Sequence, residues 1–249
     1  MMTKQLRSVL ILGTALAAQG TFALTVPTTI RDFQASHPDF EGPIDGLVTG
    51  KVSSTLGVDN KPVPVFTENV GGSSFTTHAN FNQWYNDVPG VNQSAAYNLN
   101  LTETAPGSGI YKFESSSFFP IDGQLYGNEG NPHNYHFTVE LHSAFTYHAG
   151  QTFSFTGDDD LWLFINDTLV VDLGGVHGAA SGSVNLNTLG LVDGQTYSFD
   201  LFFAERHTSQ SNFKMTIAGI ELTSVPDTGS TLALATLGFG LMALARRRA

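Results

Sequence analysis

Asp158-Asp159-Asp160 place three consecutive carboxylates directly after Phe155-Thr156-Gly157 and before Leu161-Trp162-Leu163-Phe164-Ile165. Both flanks are apolar, aromatic and β-branched and read as strands, so the acids sit in a fixed bend. Like charges this close repel, and the bend needs a cation or another reason to persist. Calcium takes six to eight oxygen ligands from carboxylates, amides, backbone carbonyls and water. Asp158, Asp159 and Asp160 supply the acids, and Asn212 supplies an amide on a later loop. Neighbouring aspartates share one ion only across a sharply bent peptide, as in a cis bond. The same residues fit an exposed acidic turn in which Asp158 caps the bend. The residues alone leave both open.

Strand direction shows what positions the acids. Residues 152–155 run up, 161–165 down, 169–173 up, 184–187 down and 196–204 up, if each connection simply reverses the chain. All three upward strands then end at one pole. It collects the acids, the loop Gly174-Gly175-Val176-His177-Gly178, and the loop from Glu205-Arg206-His207 to Asn212. Two upward strands are launched from echoing glycine turns, Gly150-Gln151-Thr152-Phe153-Ser154-Phe155 and Gly194-Gln195-Thr196-Tyr197-Ser198-Phe199.

Upstream, residues 26–33 read as a strand, 36–40 as a turn, and 42–64 as a glycine-marked loop region. Phe81, Trp84 and Tyr85 fall at helical spacing and predict one short helix over 80–87, with the aromatics packed in a core. Residues 97–101 and 110–114 form a hairpin around Pro106-Gly107-Ser108-Gly109. Phe137, Val139 and Leu141 alternate with Thr138 and Glu140, which predicts one buried face.

The 249 residues carry 22 acids, 11 basic residues and no cysteine. Lys4 and Arg7, an apolar run over 9–18 and the small-x-small site Thr21-Phe22-Ala23 predict a signal peptide over 1–23, cleaved after Ala23. At the other end, Val225-Pro226-Asp227-Thr228-Gly229 precedes an apolar run over 232–245 and Arg246-Arg247-Arg248. A helix of about 15 residues rises roughly 22 Å, short but workable for a bilayer core of about 30 Å. Transient membrane insertion is the expectation for 224–249. Without Lys4, Arg7 and the three terminal arginines, six basic residues face 22 acids, a net charge near −16. Nucleic acid is excluded as a partner on this ground and cations are favoured. With no disulfide to brace it, stability rests on core burial. Abundant Gly, Asn, Ser and Thr favour an all-β class.

The run GDDDLWLFINDTLVVDLGGVHGAASGSVNL, followed by GQTYSFDLFFAERHTSQSNFKM and preceded by TIRDF, HPDFE, FFPIDG and NYHFT, resembles the fibro-slime domain. That family is related to the protective-antigen-type β-sandwich of flocculin adhesins. The resemblance implies an antiparallel β-sandwich over 24–223, with loop-rich insertions and one short helix. It also implies that two neighbouring aspartates joined by a cis peptide hold calcium, which in turn holds sugar hydroxyls; Asp158 and Asp159 are the matching pair, with Asn212 as the later ligand. The candidate carbohydrate-binding set is Asp158, Asp159, His177, Arg206 and His207; alternatively His177 and His207 hydrogen-bond loop backbone, or Arg206 pairs with Glu205 or a pole aspartate, which fixes the loops. The tail resembles sorting signals read by exosortases through a motif beginning Val225-Pro226-Asp227, and it also fits a sortase motif with valine in place of leucine.

Rival chemistries find less support. His133 and His136, three apart in an extended segment, point to opposite faces, and neither HExxH nor a cysteine ligand set for zinc occurs. GxSxG and phosphate-cradling loops are missing. The expectation is a non-enzymatic surface or matrix protein that binds carbohydrate or glycoconjugate through calcium. A structural protein with calcium-rigidified loops is the alternative, and a glycoside hydrolase comes third.

Overall fold

Every residue of Asp160–Ile165 is buried, because this strand is covered on both sides. A computed structural model describes residues 23–218 and 223–224. Its strands are β1 (Ala23–Phe33), β2 (Val52–Leu56), β3 (Pro62–Pro64), β4 (Asn92–Glu103), β5 (Ile110–Ser115), β6 (Phe137–Thr146), β7 (Thr152–Gly157), β8 (Asp160–Ile165), β9 (Thr168–Leu173), β10 (Ala180–Asn185), β11 (Thr196–Glu205), β12 (Phe213–Ala218) and β13 (Thr223–Ser224). They form one curled antiparallel sheet in the order β10-β7-β12-β5-β4-β1-β6-β11-β8-β9-β2-β3, with β13 on β6. The all-β sandwich expectation is met, and each predicted strand has a counterpart, although the one expected over 184–187 ends at Asn185, where a 3-10 turn over Leu186–Leu189 begins.

The period of two along a strand sends alternate residues to two cores. Leu161, Leu163 and Ile165 of β8, with Phe199, Leu201 and Phe203 of β11, join the larger cluster inside the curl. Trp162, Phe164, Phe202 and Ala204 face outward into a second cluster with Phe75, Phe81, Trp84 and Tyr85. The Trp84-Tyr85 pair is thus core, as expected.

Two expectations are corrected. The helix is a single turn, α1 (His78–Phe81), capped by Thr77. It does not reach 87, because Asn92 Nδ2 donates to the carbonyls of Gln83 and Asn86 at 2.9 and 2.8 Å, and Asn86 Nδ2 to that of Asn82 at 2.7 Å. Asparagine side chains compete in this way with helical bonding. The 42–64 region is loop-rich as expected, with β2 and β3 paired within it. On β6 both faces are buried. Thr138 is covered by the α1 segment, donating from Oγ1 to Trp84 O at 2.6 Å, and Glu140 lies under Arg31, whose Nη1 donates to Oε2 at 2.5 Å. The hairpin between β8 and β9 turns through Asn166 (φ 49) and Asp167 (φ 61), both left-handed as a tight hairpin requires.

His142 of β6 bridges Asp200 of β11 through Nδ1 at 2.7 Å and Glu140 through Nε2 at 2.9 Å. Burial opposes its charge, but Asp200 and Glu140 more than offset that and raise the imidazole from 6.5 to about 9. A raised folded value means the stabilisation is complete below about 6.5 and lost as pH passes through about 9. Urea titrations of the native domain and His142→Gln should therefore converge as pH climbs through that window. Parallel stability curves would contradict this assignment.

Candidate functional site

The three loops do converge. The acids leave the end of β7, the glycine loop follows β9, and the Glu205 loop follows β11. The Asp158–Asp159 peptide is cis. The bend is pinned on both sides: Asp158 N donates to Asn212 O at 3.2 Å and Asp159 N to Ala204 O at 3.0 Å.

Each carboxylate gathers loop N–H groups. Asp158 accepts from Asn212 N on Oδ1 and from Asn212 Nδ2 on Oδ2 at 2.7 Å. Asp159 accepts from His177 N at 3.2 Å and Arg206 N at 2.8 Å, one on each oxygen. Asp160 accepts from Gly175 N at 2.7 Å and from Arg206 Nε at 2.5 Å. The acids are not an exposed turn: all three are 4% exposed or less.

Arg206 is fully buried and lies beneath the site, where a sugar cannot touch it. Its Nη1 donates to Asp39 O at 2.9 Å and Ser74 O at 2.6 Å, and its guanidinium lies 4.5 Å from the Trp84 ring centre and 4.8 Å from that of Phe75. Burial opposes its charge, yet Asp160 and Asp159 lift it above the ordinary guanidinium range. His177 and His207 both meet loop carbonyls, through Nδ1 to Gly178 O at 2.7 Å and Thr208 O at 3.1 Å. His133 stacks on Phe119 and pairs with Asp122, whereas His136 bridges Glu129 and Glu41, so the two do not share a site.

Glu205 was not singled out from the sequence, although the signal was present: 199, 201, 203 and 205 share one face of β11. It is 1% exposed, and its Oε2 has no hydrogen-bond partner. Burial and the neighbouring Asp159 and Asp158 push this carboxyl well above its usual range. Burial likewise raises Asp158, and takes Asp159 up to about 7 against the pull of Arg206. Four buried carboxyls, Asp158, Asp159, Asp160 and Glu205, thus gather at the pole, where Arg206 is the buried guanidinium and pairs with Asp160. A cavity of about 90 Å³ opens above Asp158 and Asp159, edged by Ile44, His177, Gly178 and His207.

The donors fit a hard cation: they are oxygens, they outnumber the positive charge, and one is unpartnered. Asn212 Nδ2 is turned to Asp158, which leaves its Oδ1 as the oxygen available to a cation. Among the described residues no group of three His, Cys, Asp or Glu side chains is arranged to hold a metal. An ion here would therefore take its remaining ligands from amide, backbone carbonyl and water. Asp160 has both oxygens engaged, one by the buried guanidinium.

The pattern of the PA14 domain matches residues 120–229. This stretch resembles a PA14 domain. The relation expected to the protective-antigen-type family is thereby found, and every pole residue from Asp158 to Asn212 lies inside the PA14 match. A second pattern, the VPDSG-CTERM motif, matches residues 224–249. Relatives from Dictyostelium discoideum include protein psiQ, 42% identical over 210 residues (79% of this chain, 20% of psiQ). Protein psiC is 39% identical over 218 residues, 82% of this chain and 42% of psiC. The chain therefore spans less than half the length of these relatives. Among solved structures, the PA14 domain of the MpAFP antifreeze protein aligns at 13% identity and TM-score 0.29, over 52% of this chain and 68% of that one. The PA14 sugar-binding domain from an RTX adhesin aligns at 11% identity and TM-score 0.28, over 46% and 75%.

The PA14 match and the sorting motif point to an exported surface protein. Ala23, the expected cleavage position, is the first residue of β1 and pairs with Thr102. The rest of the signal peptide, Val225, Pro226, Asp227 and the apolar span fall outside the described residues. Among the described residues no helix is long and apolar enough to cross a membrane.

Proposed function

We propose that this chain is a non-enzymatic surface or matrix protein whose PA14 pole holds calcium through Asp158, Asp159 and Asn212 and binds a carbohydrate or glycoconjugate against that ion. The observation that carries the reading is the surplus of buried carboxyls over positive charge where the three loops meet. Calcium supplies the missing charge and a Lewis-acidic contact for hydroxyls. The chain's own groups hold the loops: Arg206 and Asp160 brace them from beneath, and His177 and His207 stand at the cavity edge. At the tail, an exosortase-type enzyme, or a sortase-type one, processes the motif at Val225-Pro226-Asp227 after transient membrane insertion.

Calorimetry of the domain spanning 24–223 tests this. Calcium is expected to bind with a dissociation constant of about 10⁻³ M or tighter, as in extracellular modules. Asp158→Ala or Asp159→Ala should weaken it at least about tenfold. Heat-silent titration of the native domain would sink the proposal. A glycan array probed with and without chelator then tests the sugar.

A second reading is favoured by one feature: the carboxylate oxygens already gather N–H groups from two different loops. On that reading calcium only rigidifies the loops. It predicts a chelator-sensitive melting temperature together with a blank array.

A further inference from the structure

Residues 41–51 form a strap over the pole, outside the residues that match the PA14 domain. Glu41 N donates to Arg206 O at 2.9 Å, Gly46 N to Val176 O at 2.9 Å, Val48 N to Gly174 O at 2.6 Å, and Gly50 N to Asp172 Oδ2 at 2.7 Å. Asp45 anchors the crest from the other side, accepting from Ser74 N at 2.9 Å and Ser74 Oγ at 2.7 Å. The backbone approach is close: a Cβ on Gly175 would lie 2.3 Å from Gly46 O. The backbone either side of Ile44 is therefore fixed.

Ile44 itself is 70% exposed, and it edges the cavity above Asp158 and Asp159. A single exposed apolar residue is ordinary. An isoleucine held by a pinned strap at the rim of a carboxyl-lined cavity is a different case, because it sets an apolar wall beside a polar floor. At about 90 Å³ the cavity is well below the ~300–1,000 Å³ of pockets that enclose small ligands. A ligand enters by one edge, and the rest of it lies outside against the rim.

We propose, resting on the calcium and carbohydrate reading above, that Ile44 selects cyclic sugars: the pyranose ring presents hydroxyls to the calcium-bearing floor and lays its C–H face on the Ile44 side chain. An acyclic polyol keeps the hydroxyls at C2, C3, C4 and C6 and adds two more, but has no rigid C–H face, so it gains the floor without the wall.

The test uses the calcium-loaded 24–223 domain, with methyl α-glucoside, methyl α-galactoside and methyl α-mannoside as ring probes and sorbitol, galactitol and mannitol as open-chain counterparts. At least one glycoside is expected to shift the Ile44 methyl signals in NMR titrations, and to bind about tenfold more tightly than its open-chain counterpart. Ile44→Ser should erase that preference, weakening the glycoside about tenfold while leaving calcium affinity measured without sugar as it was. Val58→Ser, at an exposed site between β2 and β3, is the control and should change neither. Unchanged glycoside affinity in Ile44→Ser overturns the role of Ile44 and leaves the sugar reading standing. Failure of every glycoside and polyol to bind, with calcium still bound, overturns the sugar reading and this inference together.

Discussion

Arg206→Ala is expected to lower the melting temperature of the domain by about 6–20 °C. The guanidinium is fully buried against Asp160 at 2.5 Å and also holds the carbonyls of Asp39 and Ser74. Removing one partner of such a pair leaves a charge stranded in the interior, at a typical cost of about 3–5 kcal/mol. A domain of this size shifts by about 2–4 °C per kcal/mol. Arg206→Lys should not rescue it, since a single ammonium cannot reproduce the fork that spans Asp160 and two carbonyls. Removing both charges, as in Arg206→Met with Asp160→Leu, should recover part of the loss. Calorimetric melting of the four proteins decides the matter, and a drop of only a degree or two in Arg206→Ala would show that the pair is not structural.

Trp84→Ala is expected to cost about 3–5 kcal/mol in urea unfolding, the usual range for emptying a large aromatic site. Trp84 has no exposed surface, packs its ring 4.7 Å from Phe81 and 5.8 Å from Phe75, and donates Nε1 to Asp39 Oδ2 at 3.0 Å. Its loss also strips a donor from Asp39, a fully buried carboxylate. Because Arg206 lies over the same ring and bonds the backbone of the same aspartate, the two substitutions share contacts. The double variant should therefore lose less than the sum of the singles. Strict additivity would mean that the ring and the guanidinium act independently.

What could be read from the sequence depended on how local the cause was. Counting reversals from residue 152 to 204 is enough to bring the acids, the glycine loop and the Glu205 loop to one pole, because each step needs only that strands consecutive in the chain run in opposite directions, whether or not they pair. The burial of Thr138 and Glu140 was not legible, since it comes from Trp84 and Arg31, more than fifty residues away. The one-turn helix was missed for a related reason: spacing located the aromatics, but Asn92 takes the carbonyls that a longer helix would need. Arg206 is legible as the partner of a pole aspartate, and Asp160 is that partner; the carbonyls of Asp39 and Ser74 that complete its buried pocket come from distant loops and are not. The strap was the least legible part, as glycine-marked loop sequence does not say which distant backbone it will lie against.

The outer margin of the sheet ends in Pro62-Val63-Pro64. Proline has no N–H, so this last strand carries a single backbone donor, that of Val63. A protein displayed at high density stands beside many copies of itself, and an open strand would invite them to zip together. With two of three donors removed, the β3 margin is a poor template for adding a further strand.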